Sequence, residues 1–477
     1  MYAQIKGGPA MSHSTYQTED TICAPATPAG TGAIAVIRVS GKNTWSIMEK
    51  IYKPYGETKF AEIESHKVLL GQILEDDKPL DEVLVTKFVN PHSYTGEDVV
   101  EISCHGSWYI QQEILRLLVD SGCRMASPGE FTLRAFLNGK MDLSQAEAVA
   151  DLIASNSATS HTIAFRQMRG HFSKRIQQLR AQLLDFASLI ELELDFSEED
   201  VEFANREKLL ELLTIIKKEL RQLIKSFALG NVLKNGIPVA IIGKPNVGKS
   251  TLLNCILNEE KAIVSEIPGT TRDSIEDVLV IDGVSFRFID TAGLRDSDDT
   301  IETIGIERTY EKIRQAAIIL YMFDASTTSM EEINETISEF RDTLEDKEKR
   351  LILIANKIDL MEEMPHHFSD LVEMETIFVS AKRNENINLI LESLLKSVSV
   401  GVEEANQSIV ASSRHYQALK DTLEALKQVR YGIDDGLSGD LLSSDLRAAL
   451  HSLGTINGEI TNDELLGNIF GRFCIGK

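Results

Sequence analysis

One short segment restricts the possible folds of this chain more than any other. Gly243-Lys-Pro-Asn-Val-Gly-Lys-Ser250 follows the apolar run Val239–Ile242 and precedes the helix-forming residues Thr251–Leu257. Its glycines allow backbone amides to curl around an anion, and the N-terminus of the following helix adds a partial positive charge. The segment therefore predicts a phosphate-binding loop in the strand–loop–helix setting of an α/β fold.

Two side chains of this loop are suited to binding a nucleoside triphosphate together with its metal ion. Lys249 can neutralise the β- and γ-phosphates, which places it among the predicted catalytic residues, and the Ser250 hydroxyl can bind Mg²⁺. The loop residues that we predict to contact the nucleotide are Asn246, Val247, Gly248, Lys249, Ser250 and Thr251.

Three further motifs end apolar runs and complete the pattern of a guanine-nucleotide site. In Asp290-Thr-Ala-Gly293, the carboxylate can hold Mg²⁺ through water, and the glycine amide can reach the γ-phosphate. In Asn356-Lys357-Ile-Asp359, the last carboxylate can accept hydrogen bonds from guanine N1–H and the exocyclic amine, donors that adenine lacks at those positions. In Ser380-Ala381-Lys382, the Ala381 amide is placed to meet guanine O6.

In this order the four motifs resemble the translation-factor-related family of small GTPases, from about residue 236 to residue 396. The resemblance implies a Ras-like, doubly wound G domain that binds GTP and GDP and hydrolyses GTP. Apolar runs separated by helical stretches agree with it. The strands predicted from these runs are Val239–Gly243, Ser285–Asp290, Ile318–Asp324, Leu351–Asn356 and Ile377–Ser380.

The residue after the Asp-x-x-Gly motif departs from the Ras pattern. Ras-like proteins carry there a glutamine that orients the attacking water, whereas this chain has Leu294, which has no hydrogen-bonding group. Another residue must therefore position the water. Family resemblance implies Glu302 as this catalytic residue, although spacing alone does not separate it from Glu307.

A second departure concerns Asn246 in the phosphate loop. Together with the segment from Ala262 to Asp273, it resembles GTPases that are activated by a bound potassium ion. In them K⁺ supplies charge where an arginine finger would otherwise lie. The resemblance implies Asn246, Ser265, Ile267 and Thr270 as K⁺ ligands and Thr271 as a second Mg²⁺ ligand. Ser265, Thr270 and Thr271 then also belong to the nucleotide site.

The pattern of apolar residues changes along the sequence and divides the chain into four segments. Short β-rich runs precede residue 138, helical spacing of leucines and isoleucines follows, and helical patterns return after the α/β region. We predict that the G domain is inserted into one helical domain built from both flanks, although two separate helical domains would fit the same pattern. The predicted segments are residues 1–138 (α+β, with 1–14 a leader or an expression remnant), 139–235 (helical), 236–396 (G domain) and 397–477 (helical).

Composition excludes several classes of protein. A formal net charge of −24 argues against broad, sequence-independent nucleic-acid binding. No apolar stretch approaches the roughly 18 residues of a membrane helix, and the N-terminus lacks a signal-peptide layout, so we expect a cytoplasmic protein. The five cysteines include no Cys-x-x-Cys pair, which argues against a zinc site or a disulfide framework.

Segments outside the G domain resemble the MnmE (TrmE) family of tRNA-modification GTPases. The resemblance extends from about Asp20 to Lys477 and includes a Cys-x-Gly-Lys ending. Its motif-bearing segments are Ala26–Gly41, Ser93–Gly106, Ser127–Ile153 and Phe473–Lys477.

This family resemblance implies a ligand for the N-terminal segment. The domain would be folate-binding-like and would bind 5-formyl-tetrahydrofolate or a related tetrahydrofolate through Arg38, Glu101, Lys140 and Lys477. A pterin presents a guanine-like donor edge that suits Glu101, and basic side chains suit the anionic glutamate tail. The same domain would form the homodimer.

Cys474 permits two interpretations. By family resemblance it lies near the folate site and is a catalytic nucleophile in one-carbon transfer, with Lys477 or Arg472 lowering its pKa. On sequence alone the favoured interpretation is a small, partly buried apolar residue.

The resemblance also implies a reaction and partners. With an FAD-dependent MnmG-type protein in a heterotetramer, the chain would add an aminomethyl or carboxymethylaminomethyl group to C5 of the wobble uridine of certain tRNAs. No membrane is implied. Two alternatives remain: a ribosome-assembly GTPase, which shares the potassium-type loop, and a GTP-timed scaffold without one-carbon chemistry.

Overall fold

The computed structural model describes residues 19–56, 59–195, 206–258, 263–264, 277–289, 312–339, 349–361, 375–397, 409–435, 437, 439–471 and 473–476. Two compact units are present. The first combines the chain up to Ala150 with the chain from Gly454 onward, and the second is Asp151–Leu453. Every described helix is too short or too polar to cross a membrane.

A seven-stranded sheet forms the first unit, in the order β3-β4-β5-β6-β2-β1-β7. All neighbouring strands are antiparallel except β1 and β7. Alternate residues face the core, as the pattern Ile34-Ala-Val-Ile-Arg-Val-Ser40 requires of a strand with one buried face. The strands are β1 (Ile22–Pro25), β2 (Ile34–Ser40), β3 (Tyr52–Pro54), β4 (Lys67–Glu75), β5 (Lys78–Phe88), β6 (Val99–His105) and β7 (Arg124–Met125).

Helices from both ends of the sequence complete this unit. α1 (Thr44–Ile51) and α2 (Trp108–Asp120) share a hydrophobic core with the sheet. A second cluster joins Leu133 and Leu143 to Leu466, Phe470 and Phe473, far apart in sequence. These residues come from α3 (Glu130–Leu137), α4 (Leu143–Ala154), α13 (Asp463–Phe470) and the segment that follows.

Long helices form one part of the second unit: α5 (Ala158–Met168), α6 (His171–Asp195), α7 (Arg206–Asn235), α11 (Ser413–Asp434) and α12 (Gly439–Asn457). α7 and α11 pack together although the α/β region separates them in sequence. The Phe227 and Tyr416 rings stack with centroids 4.2 Å apart, and Val410 N donates to Ser226 Oγ at 3.1 Å. Phe227 lies beside Tyr416, whereas Lys217, earlier on α7, interacts electrostatically with Lys427 and Arg430, later on α11, so the helices run antiparallel.

The rest of the second unit is a seven-stranded sheet in the order β14-β13-β12-β8-β11-β10-β9. β11, β8, β12, β13 and β14 are parallel, as predicted for a doubly wound domain. The strands are β8 (Ile237–Ile242), β9 (Ile263–Val264), β10 (Asp277–Ile281), β11 (Val284–Phe288), β12 (Ile318–Asp324), β13 (Arg350–Asn356) and β14 (Thr376–Phe378). The helices are α8 (Lys249–Leu257), α9 (Met330–Glu339) and α10 (Ile387–Lys396).

Two strands in this sheet were not predicted. β9 and β10 pair antiparallel, and β10 forms an antiparallel hairpin with β11. The predicted five strands are therefore the parallel part of a mixed sheet. The boundaries predicted from the sequence at residues 138, 235 and 396 remain predictions.

Candidate functional site

The phosphate loop lies tightly against the neighbouring strand ends. Gly243 (φ +150°) leaves so little space that an added Cβ would lie 2.1 Å from Met322 O, at the end of β12. At Gly248 (φ +102°) the Cβ would lie 2.5 Å from Asn356 Nδ2, at the end of β13. Both positions therefore require glycine. Asn246 also has a left-handed backbone (φ +62°), a conformation that asparagine tolerates.

Lys249 lies at the start of α8 and folds back over the loop. Its Nζ donates to the carbonyl oxygens of Gly243 and Lys244, both at 2.8 Å. Burial lowers the pKa of Lys249, and the nearby Lys312 lowers it further. Because both of these acceptors are neutral, a phosphate anion in the loop would be a stronger partner for this ammonium group.

Asn356 connects the phosphate loop to the loop after β14. It is 3% exposed; its Nδ2 donates to Val247 O at 2.7 Å, and its Oδ1 accepts from the Ala381 amide at 2.9 Å. The amide predicted to meet guanine O6 thus already has a protein partner, which it would share with the base. The Cys255 thiol donates to the carbonyl oxygen of Ala381 at 3.0 Å.

Asp324 ends β12 and Asp359 follows the neighbouring β13, and their carboxylates have different partners. Asp359 Oδ1 accepts a 2.7 Å hydrogen bond from the buried Ser380 hydroxyl. Asp324 Oδ2 pairs with Lys357 Nζ at 2.7 Å. Burial alone would raise the pKa of Asp324, but hydrogen bonds from Lys357 and Ser326 outweigh it and hold the pKa below its ordinary value. Asp324 thus fixes Lys357, while Ser380 orients Asp359.

A cleft of about 360 Å³ lies beside these groups. Eight of its lining residues belong to the predicted nucleotide site, and Leu360 is the one that the sequence did not indicate. The lining comprises Asn246, Gly248, Thr251, Asn356, Lys357, Asp359, Leu360, Ala381 and Lys382. The first, third and fourth predicted motifs are represented among the described residues, and the structure brings all three to this one cleft.

Several predicted residues lie outside the described parts of the chain. They are Ser265, Ile267, Thr270, Thr271, Asp290, Gly293, Leu294, Glu302 and Glu307 in the G domain, and Arg472 and Lys477 near the C-terminus. Their predicted roles remain predictions.

A second polar site lies in the first unit. Arg38 on β2 and Glu101 on β6 are directly opposite in the antiparallel register. Arg38 Nε and Nη2 donate to Glu101 Oε1 at 3.0 and 2.8 Å, and the guanidinium lies between the Tyr94 and Phe131 rings at 5.1 and 5.6 Å. Both hydrogen bonds use Oε1, so Oε2 can accept from a ligand.

The segment after α13 reaches the same site. Gly476 O accepts from Arg38 Nη1 at 3.4 Å, and Cys474 O accepts from the Gly129 amide at 3.4 Å. The Cys474 side chain is exposed. Gly476 has φ +94°, and an added Cβ would lie 2.0 Å from Pro25 O.

Lys140, which was also predicted for the folate site, has a backbone partner in this structure. Its Nζ donates to Pro91 O at 2.8 Å, an acceptor that belongs to neither Arg38 nor Glu101. Because this acceptor is a neutral carbonyl, an anionic ligand would be a stronger partner for the Lys140 ammonium group.

Sequence reasoning missed several supporting residues. Tyr94 and Phe131 enclose Arg38, Cys255 contacts the Ala381 peptide, and Asp324 fixes Lys357. A usable signal existed for Asp324, since it ends a buried strand beside the nucleotide motifs. The two aromatic residues could not be assigned, because only tertiary packing brings them to Arg38.

Comparison with known proteins extends to nearly the whole chain. A family model described as the MnmE helical domain matches residues 143–474, and one described as GTP-binding protein TrmE N-terminus matches residues 21–140. The tRNA modification GTPase MnmE of Christiangramia forsetii is 53% identical over 472 residues, which cover 96% of this chain and 99% of the relative. The protein of that name from Bacteroides thetaiotaomicron is 51% identical over 469 residues, with 96% and 100% covered.

Two solved structures match a smaller part of the chain. The G domain of the T. maritima FeoB iron transporter is 24% identical, covers 36% of this chain and 99% of its own, and has a TM-score of 0.23. Era in complex with MgGDPNP and nucleotides of 16S ribosomal RNA is 26% identical, with 39% and 66% covered and a TM-score of 0.26.

Proposed function

The chain belongs to the MnmE family of tRNA modification GTPases, and we propose that it binds and hydrolyses GTP in the cleft between the phosphate loop and Asp359. The observation that carries this proposal is the orientation of Asp359 by the buried Ser380 hydroxyl. A carboxylate held in this way can accept from guanine N1–H and the exocyclic amine together. It would leave adenine with unmatched polar groups.

Lys249 and Ser250 serve the phosphates in this proposal. Binding of GTP moves the Lys249 ammonium from the carbonyls of Gly243 and Lys244 to phosphate oxygens. Ser250, in the first turn of α8, fits Mg²⁺ as a hydroxyl ligand. Thr271 would be a second ligand of the ion, and Asp290 would hold a water that binds it. Mg²⁺ would neutralise charge on the phosphates.

Potassium is the second cation that we propose for this site. Asn246 lines the cleft, and its left-handed backbone lies at the exposed side of the phosphate loop. Its side-chain oxygen suits K⁺, with Ser265, Ile267 and Thr270 as the other proposed ligands. The ion would supply positive charge beside the transferred phosphoryl group.

Replacing Na⁺ by K⁺ should raise GTP hydrolysis at least about tenfold, because the proposed site places a fixed charge where negative charge develops. Steady-state phosphate release at constant ionic strength measures the effect. The Asn246→Ala variant should lose the difference between the two salts while still binding GDP. Equal rates in Na⁺ and K⁺ for the unaltered protein would remove Asn246 from this role.

We expect Glu302→Ala to lower turnover about 100-fold with little change in nucleotide affinity, because a residue that positions water acts mainly in the transition state. Single-turnover hydrolysis and GDP titration separate the two effects. Glu307→Ala is the matched control, since it removes a carboxylate from the same segment. If Glu307→Ala has the larger effect on turnover, the roles of the two residues must be exchanged.

The N-terminal unit supplies the folate-binding-like part of the proposal. Its cross-strand Arg38–Glu101 pair, the two flanking rings and the Cys474–Gly476 segment form one polar site. Both hydrogen bonds from Arg38 use Oε1 of Glu101, so Oε2 suits the donor edge of a pterin. Lys140 and Lys477 are proposed for the anionic tail, and the exposed Cys474 thiol is proposed as a nucleophile in one-carbon transfer.

Glu101→Gln should weaken binding of 5-formyl-tetrahydrofolate about tenfold, because a charged acceptor is replaced by a neutral one. Isothermal titration measures this, and Glu113→Gln, on α2 of the same unit, controls for the loss of one negative charge. The thermal midpoint of both variants shows whether the fold is retained. Identical folate affinity in both variants would exclude Glu101 as the pterin acceptor.

We further propose that the G domain is inserted in a single helical domain. Support comes from α7 and α11, which flank the G-domain sheet in sequence and pack against each other. The family model for the helical domain also begins before that sheet and ends after it, at residues 143 and 474.

Dimerisation through the first unit has its own support. Val68, Leu70 and Leu84 lie on the open face of its sheet and are each about half exposed. Leu70 and Leu84 are direct partners across β4 and β5, so they form a continuous apolar surface. A second copy of the chain would cover it.

As a member of this family, the chain would use GTP hydrolysis to time a conformational step in tRNA modification. With an FAD-dependent MnmG-type partner, it would add an aminomethyl or carboxymethylaminomethyl group to C5 of the wobble uridine. Measuring GTPase activity and uridine modification with and without the flavoprotein tests this directly. A chain that hydrolyses GTP but never supports modification would contradict the second half of the proposal.

A further inference from the structure

Four cationic side chains lie close together where α7 and α11 pack. Lys217 and Arg221 lie on α7, and Lys427 and Arg430 on α11; we call these four residues the basic seam. Lys217 lies about three turns before Phe227, and Lys427 about three turns after Tyr416. Since Phe227 stacks on Tyr416 and the helices are antiparallel, the two pairs of cations reach the same level.

Helical spacing places each pair on one side of its helix. Lys217 and Arg221 are four residues apart, and Lys427 and Arg430 are three apart. Arg221 is exposed, and the side chains of Lys427 and Arg430 are 41% and 38% accessible. The charges are thus accessible to a ligand from solvent.

The seam carries more positive than negative charge. Glu424 pairs with Lys427 and Asp434 with Arg430, each at 2.8 Å and within one helix. Such exposed ion pairs are weak, because water screens both charges, and a ligand can replace them. Burial lowers the pKa of Lys217, and Arg221, Arg430 and Lys427 lower it further, against a smaller opposing effect of Asp434. The four cations therefore repel one another, and a bound polyanion would relieve this repulsion.

We propose that the basic seam binds the phosphate backbone of tRNA. The inference rests on the proposed function, since a member of a tRNA-modification family must hold tRNA, and it adds the place where this chain does so. The formal net charge of −24 means that most of the surface repels RNA. A local row of long cationic side chains is the kind of surface that contacts phosphates and positions RNA without reading bases.

The test uses the full-length protein and an unmodified tRNA transcript. Binding is measured by fluorescence anisotropy between about 50 and about 200 mM salt. Lys217→Glu with Arg221→Glu tests one side of the seam, and Lys427→Gln with Arg430→Gln tests the other. Lys42→Glu with Lys67→Glu, on exposed positions of the first unit, is the control with the same change in charge as the first variant. Thermal midpoints and GTP hydrolysis without tRNA show whether each variant is folded.

Each seam variant should bind tRNA about tenfold more weakly, with the slope of log affinity against log salt reduced by about 2, because each variant removes two cations that neutralise phosphates. The control should bind as the unaltered protein does. Equal tRNA affinity in the seam and control variants would overturn the inference. A change in oligomeric state without a change in tRNA affinity would also overturn it, because the seam would then bind an acidic protein surface instead of RNA. If the unaltered protein did not hydrolyse GTP, the proposed function itself would be contradicted. The anisotropy assay thus tests the seam, and the hydrolysis assay tests the proposed function.

Discussion

Asp359→Asn is expected to change the base preference of the cleft from guanine to xanthine. The carboxylate accepts two hydrogen bonds from guanine in the proposed complex, and hydrogen bonds to a charged group contribute about 1.5–3 kcal/mol each. Their loss should weaken GTP binding roughly 100-fold or more. Xanthine carries a carbonyl in place of the exocyclic amine, so the asparagine amide can donate to it. Competition between GTP and xanthosine triphosphate measures the change.

Asp324→Asn is the matched control for this prediction. It makes the same chemical change at the end of the neighbouring strand, but Asp324 pairs with Lys357, whereas Asp359 is oriented by Ser380. It should weaken both nucleotides by loosening Lys357, with no gain for xanthosine triphosphate. A shift toward xanthine in the Asp324 variant, or unchanged selectivity in the Asp359 variant, would remove Asp359 from the base site.

Gly248→Ala should lower nucleotide affinity about 100-fold, because two costs combine at this position. Its φ of +102° is one that an L side chain rarely adopts, and the added Cβ would lie 2.5 Å from Asn356 Nδ2. Relief of this contact requires the phosphate loop to move away from Asn356. A displacement of about 1 Å in a catalytic arrangement can cost a factor of about 100. GDP titration and turnover measure the loss.

Gly139→Ala separates these two costs. Gly139 also has a positive φ, +68°, but nothing lies within 4 Å of its added Cβ. The substitution should cost about 1 kcal/mol of stability through backbone strain alone, with GDP affinity unchanged. If Gly248→Ala also leaves GDP affinity unchanged, the close approach to Asn356 does not determine the conformation of the phosphate loop.

The parallel strands and their motifs could be predicted because both signals are local. β8, β12 and β13 are continuous apolar runs, as strands buried on both faces require, and β8 and β13 are each followed by a motif of the nucleotide site. Carboxyl ends of parallel strands meet at one edge of the sheet, so the sequence alone predicts that these motifs lie together.

The hairpin of β10 and β11 also had a local signal, although it was not among the predicted elements. Asp282 and Gly283 have φ values of +46° and +79°, and an Asp-Gly pair is the preferred sequence of such a two-residue turn. By contrast, nothing local connects Arg38 to Glu101 or to Gly476. Strand register and long-range packing decide those contacts, and one sequence contains neither.

The contact between Arg38 and Gly476 has a consequence for biosynthesis. The two residues are 438 positions apart, and a ribosome needs roughly 20–90 s to cover that distance at about 5–20 residues per second. The nucleotide cleft is synthesised entirely within this interval. The proposed GTP cleft would therefore be synthesised before the Arg38 site is complete, and the proposed folate binding would belong to the released protein.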